Sequence, residues 1–149
     1  MYKNILVPTD GTKLSFSAVA EAAKLARHFG SKLVLFFAAQ HPNLSPVSEG
    51  FSAPGRSEER EHAVKAMKAE AETILASAAT SVNLEGVRVD RQFTVSDHPY
   101  EAIIDAAKMF QCEVIVMGSH GRSGVSAVLL GNVTNKVLAH STIPVLVVK

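Results

Sequence analysis

The pattern that most restricts this chain is an exchange between short, continuously apolar runs and segments whose apolar residues recur every three or four positions. Ile5-Leu6-Val7, Leu33-Val34-Leu35-Phe36-Phe37-Ala38, Val114-Ile115-Val116-Met117 and Val145-Leu146-Val147-Val148 are the runs. They are apolar at every position, as strands covered on both faces must be. Val87, Val89, Arg91, Phe93 and Val95 instead alternate with Arg88, Asp90, Gln92 and Thr94, which predicts a strand at a sheet edge. Between these lie helical stripes: Val19, Ala22, Ala26 and Phe29; Val64, Met67, Ala71, Ile74 and Ala78; Ile103, Ala107 and Phe110; Val133, Val137 and Leu138. The order β-α-β-α-β-α-β-α-β implies parallel strands joined by right-handed crossovers. The expected fold is α/β: a doubly wound five-stranded parallel sheet, order 3-2-1-4-5, with helices on both faces.

Local signals place the element ends. Thr12 or Ser15 can cap the first helix, and Gly30 stands where a left-handed C-terminal cap belongs. Ser57 reads as the N-cap of the second helix, with Glu58, Glu59 and Glu61 against the positive end of its dipole. Ser96-Asp97-His98-Pro99 supplies cap residues and an early helical proline for the third. Residues 40–56, rich in Pro, Ser and Gly, have no periodicity and read as a long flexible loop, either a functional flap or an insertion. The 149 residues fit one domain, 1–149, large enough to bury roughly 70% of its unfolded surface.

Composition excludes several classes. Fifteen basic residues against 14 acidic leave a net charge of +1, so nothing points to nucleic acid or an anionic membrane as partner. No apolar stretch approaches the ~20 residues a bilayer requires. The opening apolar run is too short for a signal peptide, and a cytoplasmic protein is expected. The single cysteine, Cys112, reads as a small buried hydrophobe. The histidines show no H-x-x-x-H pattern, so no structural metal site is expected.

Function is sought where strands break into loops. In open parallel sheets ligands bind beyond the carboxyl ends of the strands, where the strand order reverses. With the first and fourth strands adjacent there, Pro8-Thr9-Asp10 and Gly118-Ser119-His120-Gly121 form opposite lips of one crevice. The glycines are either turn and capping residues or an anion loop, in which φ > 0 and close approach turn N–H groups toward a phosphate. Neither a Walker-type G-x-x-x-x-G-K-[ST] nor a G-x-G-x-x-G after the first strand occurs. A G-x-S-x-G elbow is also missing, and no catalytic residue is assigned.

The chain resembles a universal stress protein domain from end to end. The likeness runs through Lys3-Asn4-Ile5-Leu6-Val7-Pro8-Thr9-Asp10, Asp97-His98-Pro99, Val116-Met117-Gly118-Ser119-His120-Gly121-Arg122, Leu129-Leu130-Gly131 and Pro144-Val145-Leu146-Val147-Val148. It implies an adenine nucleotide alpha hydrolase-like fold and, in the ATP-binding branch, the pattern G-x2-G-x9-G-[ST]. Gly118, Gly121 and Gly131 match it, and Asn132 stands where serine or threonine is expected. By the resemblance, Pro8, Thr9 and Asp10 meet the adenosine and Ala38 the adenine. Met117, Gly118, Ser119, His120 and Gly121 line the ribose and phosphates, and Gly131, Asn132, Val133 and Thr134 hold the phosphate chain. The implied cofactor is ATP, with Mg²⁺ arriving on its phosphates.

The residues themselves leave alternatives. Asp10 either meets ribose or a phosphate-bound metal, or caps a helix. His120 approaches phosphate or occupies an exposed loop, and Thr134 donates to phosphate or acts as a second cap. Lys13 and Arg122 either neutralise phosphate or are solvated. Asn132 donates through its NH₂ but repels an anion through its carbonyl, so weakened or altered binding is expected rather than its loss. The expected function is an ATP-binding, regulatory stress-response module. The alternatives are a dimeric interaction protein without nucleotide and a slow ATPase or phosphotransferase. The apolar last strand, Val145–Val148, at a sheet edge predicts a homodimer that pairs it with its copy.

Overall fold

The computed structural model describes residues 1–41, 56–120 and 129–149. In chain order the elements are β1 (Asn4–Pro8), α1 (Lys13–Phe29), β2 (Lys32–Ala39), α2 (Arg56–Thr80), β3 (Arg88–Val95), α3 (Pro99–Met109), β4 (Val114–Gly118), α4 (Asn132–His140) and β5 (Val145–Val148). The strands form one parallel sheet in the order β3-β2-β1-β4-β5, as the alternation predicts.

The period of two sorts each buried strand between two cores. Ile5, Val7, Leu33, Leu35, Val114 and Val116 point to the layer formed by α1 and α2. Leu6, Val34, Phe36, Ile115 and Met117 point to the layer formed by α3 and α4. The side chains at Ile5, Leu6, Val7, Leu33, Val34, Leu35, Ile115 and Val116 are wholly buried. Each such side chain contributes about 1.5–3 kcal/mol relative to exposure. That is why the runs tolerate no polar residue. The alternating segment is the edge strand β3, and its Lys32–Asp90 ion pair of 2.9 Å bridges it to β2.

Helix ends follow their chemistry. Thr12, extended at φ −80° and ψ 158°, accepts through Oγ1 from the Ser15 N–H, so Thr12 is the cap of α1 and Ser15 lies within the helix. Gly30 closes α1 in the left-handed conformation, φ 68°. His98 precedes α3 without a side-chain cap bond, and Ser96 Oγ accepts from its N–H at 3.1 Å.

Three expectations need correction. Helix α2 begins at Arg56, so Ser57 lies inside it rather than capping it. Val64 is 57% exposed: the burial of α2 begins further along the stripe, where Met67 packs against the core and Ala71, Ile74 and Ala78 lie within it. Phe29 is 37% exposed and Leu138 41%; Phe29 meets the Tyr2 ring edge-on in place of the core. Residues 42–55, most of the expected long loop, lie outside the described residues.

Candidate functional site

Strand β1 lies between β2 and β4, so the crossovers leave it in opposite directions and their loops diverge above it. A cavity of about 460 Å³ occupies this divergence. The volume falls within the range of small-molecule sites, about 300–1,000 Å³. Pro8, Thr9 and Asp10 form one lip; Gly118, His120 and the start of α4, Gly131, Asn132, Val133 and Thr134, form the other. Ala38 and Met117 also line it. Gly121 and Arg122 lie outside the described residues, and Lys13 is not among the lining groups.

The two helix N-termini beside the cavity differ. That of α1 is closed. Asp10 Oδ1 accepts from Thr12 N at 3.0 Å and from Thr12 Oγ1 at 2.6 Å, and Thr12 Oγ1 in turn accepts from Ser15 N. A carboxylate thus already complements that dipole and repels a second anion. The N-terminus of α4 is open: its cap is Gly131, φ −61° and ψ 153°, without a side-chain bond. The leading N–H groups of an α-helix have no partner within the helix. The Gly131 N–H is used, donating to Ser119 O at 2.6 Å, but those of Asn132, Val133 and Thr134 meet no acceptor among the described residues. Among the described residues, the helix end with N–H groups open to an anion is that of α4.

The opposite end of the cavity sets main-chain groups of β2 beside apolar side chains. Strand β1 ends at Pro8, in register with Phe36 of β2. Phe36 O accepts from Thr9 N at 2.8 Å on that side, while Ala39 O accepts from Ser96 N at 2.8 Å on the β3 side. Main-chain groups alternate sides along a strand. Ala38 therefore turns its N–H and C=O toward the cleft, beyond the last residue of β1. A donor beside an acceptor results, with Phe36, Ile103 and Met117 as apolar walls.

Several residues do different work from that expected. Neither Gly118 nor Gly131 has positive φ; among the described residues the glycines that do are Gly11, Gly30 and Gly86. Gly118 is needed for space, because a Cβ there would lie 3.0 Å from Leu14 Cγ. Ser119 is 2% exposed and lies behind the cavity wall, its hydroxyl 2.8 Å from His120 Nδ1. Thr134 directs its hydroxyl to Gly118 O at 2.9 Å. Asp10 accepts from the cap residue Thr12 and lines the cleft as well.

Sequence reasoning missed Ser15, Phe36, Phe37, Gln40, Glu70, Pro99 and Ile103, which also line the cavity. Phe36 and Phe37 carried a signal, since they end an apolar run beside the reversal point. Glu70 carried none, because its place depends on how α2 crosses the sheet. Just outside, His41 Nδ1 and Asp97 Oδ1 pair at 3.0 Å, and this hydrogen bond holds the Asp97 carboxyl below its ordinary range. Away from the cleft, burial pushes the Cys112 thiol up to about 11, against a small opposing effect of Lys32. No group of three or more His, Cys, Asp or Glu side chains suited to a metal occurs among the described residues. No helix among them is long and apolar enough to cross a membrane.

Fold and cleft together define a doubly wound parallel-sheet protein with a cavity at its switch point. The universal stress protein family model matches residues 1–149, and the chain belongs to that family. It is 31% identical over 157 residues to the universal stress protein MJ0531 of Methanocaldococcus jannaschii, covering 100% of this chain and 83% of the relative. The solved structure of MJ0577 from the same organism superposes with a TM-score of 0.80 at 26% identity, over 100% of this chain and 96% of that one. A crystal structure of a universal stress protein in complex with cAMP superposes with a TM-score of 0.69 at 27% identity, over 99% and 97% of the two chains.

Proposed function

We propose that this protein binds ATP in the cleft between the 8–10 lip and the start of α4, as a cytoplasmic regulatory module of the stress response. The observation that carries the reading is the contrast between the two helix ends. The α1 terminus is closed by Thr12 and Asp10, whereas the leading N–H groups of α4, beside the cavity, meet no acceptor among the described residues. Phosphates set against α4 leave the base at Ala38, where a main-chain donor and acceptor match the N1 and N6 edge of adenine and oppose that of guanine. The carboxylate of Asp10 faces the intervening ribose, whose hydroxyls donate, rather than the phosphates. Mg²⁺ enters on the nucleotide, coordinated chiefly by phosphate oxygens and water. The family relative solved with cAMP supports an adenine nucleotide as the ligand class.

The protein works as a homodimer in this reading. Strand β5 is at the sheet edge, and Leu146 on it is 42% exposed. Pairing with a symmetry mate removes an apolar edge from water. Sedimentation at micromolar concentration tests this, and a monomer there refutes it. For the nucleotide, protein purified without added ligand is heat-denatured and the supernatant chromatographed. Adenine nucleotide in stoichiometric amount supports the proposal. If none is released, equilibrium dialysis against radiolabelled ATP decides, and no uptake at millimolar ATP overturns it.

A further inference from the structure

We propose that the Thr134 side chain is a positioning group for phosphate: it aligns the open end of α4, and its hydroxyl does not itself touch the ligand. The inference rests on the nucleotide reading above and deepens it. Thr134 lines the cleft, and a hydroxyl in that place invites assignment as a phosphate donor. Its geometry excludes the role. A threonine hydroxyl carries one proton, and phosphate oxygens only accept. That proton is committed to Gly118 O at 2.9 Å, and the residue is 2% exposed, which shields the bond from water. Nothing remains on the side chain to donate.

The committed proton instead sets a distance. Side chains on a helix lean toward its N-terminus, so a residue in the first turn of α4 reaches back to the end of β4. Thr134 Oγ1 bonds the last residue of β4, and one residue later Ser119 O accepts from Gly131 N at 2.6 Å. These bonds tie the first turn of α4 to the strand end at two points. The strand end is fixed on its other face, where Leu14 of α1 fills the space a Cβ on Gly118 would take. The N–H groups of Asn132 and Val133 lie between the two ties and inherit their orientation.

The test compares Thr134→Val, which keeps the shape and removes the hydroxyl, with Thr134→Ser, which keeps the hydroxyl. Binding of ATP and of adenosine is measured by calorimetry. Thr134→Val is expected to weaken ATP by about tenfold, the usual size of one hydrogen bond's effect, and to leave adenosine unchanged. Thr134→Ser is expected to restore ATP binding. Unchanged ATP affinity in Thr134→Val overturns the proposal, as does equal loss of ATP and adenosine. A measurement without ligand separates this from failure of the nucleotide reading. In Thr134→Val, amide hydrogen exchange at Asn135 and Ser141, the ends of α4, is compared with that at Ser15 of α1. Faster exchange confined to Asn135 supports positioning, and rates matching the unsubstituted protein overturn it, whatever the chain binds.

Discussion

Replacing Gly118 by alanine tests the packing that places the cleft. At a position whose φ an L-residue adopts freely, Gly→Ala normally stabilises by about 0.4–1 kcal/mol, since it restricts the unfolded chain. Gly118 is outside the left-handed region, so backbone conformation alone predicts a gain. Space predicts the reverse. The new Cβ would lie 3.0 Å from Leu14 Cγ and 3.4 Å from both Leu14 O and His120 O. The branched Cγ must give way by a few tenths of an ångström. Overpacking of this kind costs about 1–3 kcal/mol, which outweighs the entropic gain. The net expectation is a loss of about 1.3 kcal/mol, or a Tm lower by about 3–5 °C for a chain of this size. Urea unfolding followed by far-ultraviolet circular dichroism measures it, as the chain has no tryptophan to serve as a fluorescent probe. Leu14→Ala removes the opposing atom, so the Gly118→Ala and Leu14→Ala pair should show a favourable coupling of about 1 kcal/mol or more. A Gly118→Ala protein as stable as the parent, or a double mutant with strictly additive losses, refutes the reasoning.

Cys112 should resist iodoacetamide at neutral pH in the folded protein and react in urea, because burial raises its thiol to about 11. The unfolded thiol ionises first, near 9, so this group's stabilising contribution is intact below that pH and falls away as pH climbs toward 11; urea midpoints across this window check the sign. Gln111 follows the C-terminus of α3 with φ 51°, a conformation costing a non-glycine residue about 1–2 kcal/mol. Gln111→Gly should raise the unfolding free energy by about 0.5–1 kcal/mol after the entropy of glycine is deducted, and a lower urea midpoint contradicts it. Because Ala38 offers a main-chain donor and acceptor in the order adenine needs, GTP should displace bound ATP at least about tenfold less well than ATP itself, roughly one mismatched hydrogen bond. Equal competition refutes the assignment of the base to Ala38.

The fold was legible because both periodicities in this chain are strong. The runs of β1, β2 and β4, apolar at every position, are covered on both faces, and the alternating segment is an edge; the apolar run of β5 stands at the other edge, half-covered. Errors arose where a helix outruns its support. The stripe through Val64 has the right spacing, yet Val64 is exposed and the buried part of α2 starts later in the stripe. Phe29 likewise follows its stripe but sits in the last turn of α1, beyond the core. At the site, spacing identified the lips, since strand ends and helix starts are local features. The partition of work between them was not local. Which helix N-terminus is open depends on a hydrogen bond from Thr12 to Asp10 and on the absence of a capping side chain at Gly131. The direction of the Ala38 main chain depends on where β1 stops relative to β2. The glycine at 118 is recognisable in sequence, but its reason, the contact with Leu14, requires the packing of α1 on β4.

The central claim is that the cleft takes ATP with its phosphates on the open end of α4. Thermal unfolding with and without Mg-ATP tests it most directly, because a ligand that binds only the folded state must stabilise it. At a hundredfold excess over Kd the gain is about 2.7 kcal/mol, which for this length raises Tm by about 5–11 °C. Adenosine, lacking the phosphates, should raise Tm less at the same concentration. A Tm unmoved by millimolar Mg-ATP in protein freed of bound nucleotide, or a shift by adenosine equal to that by ATP, would contradict the account.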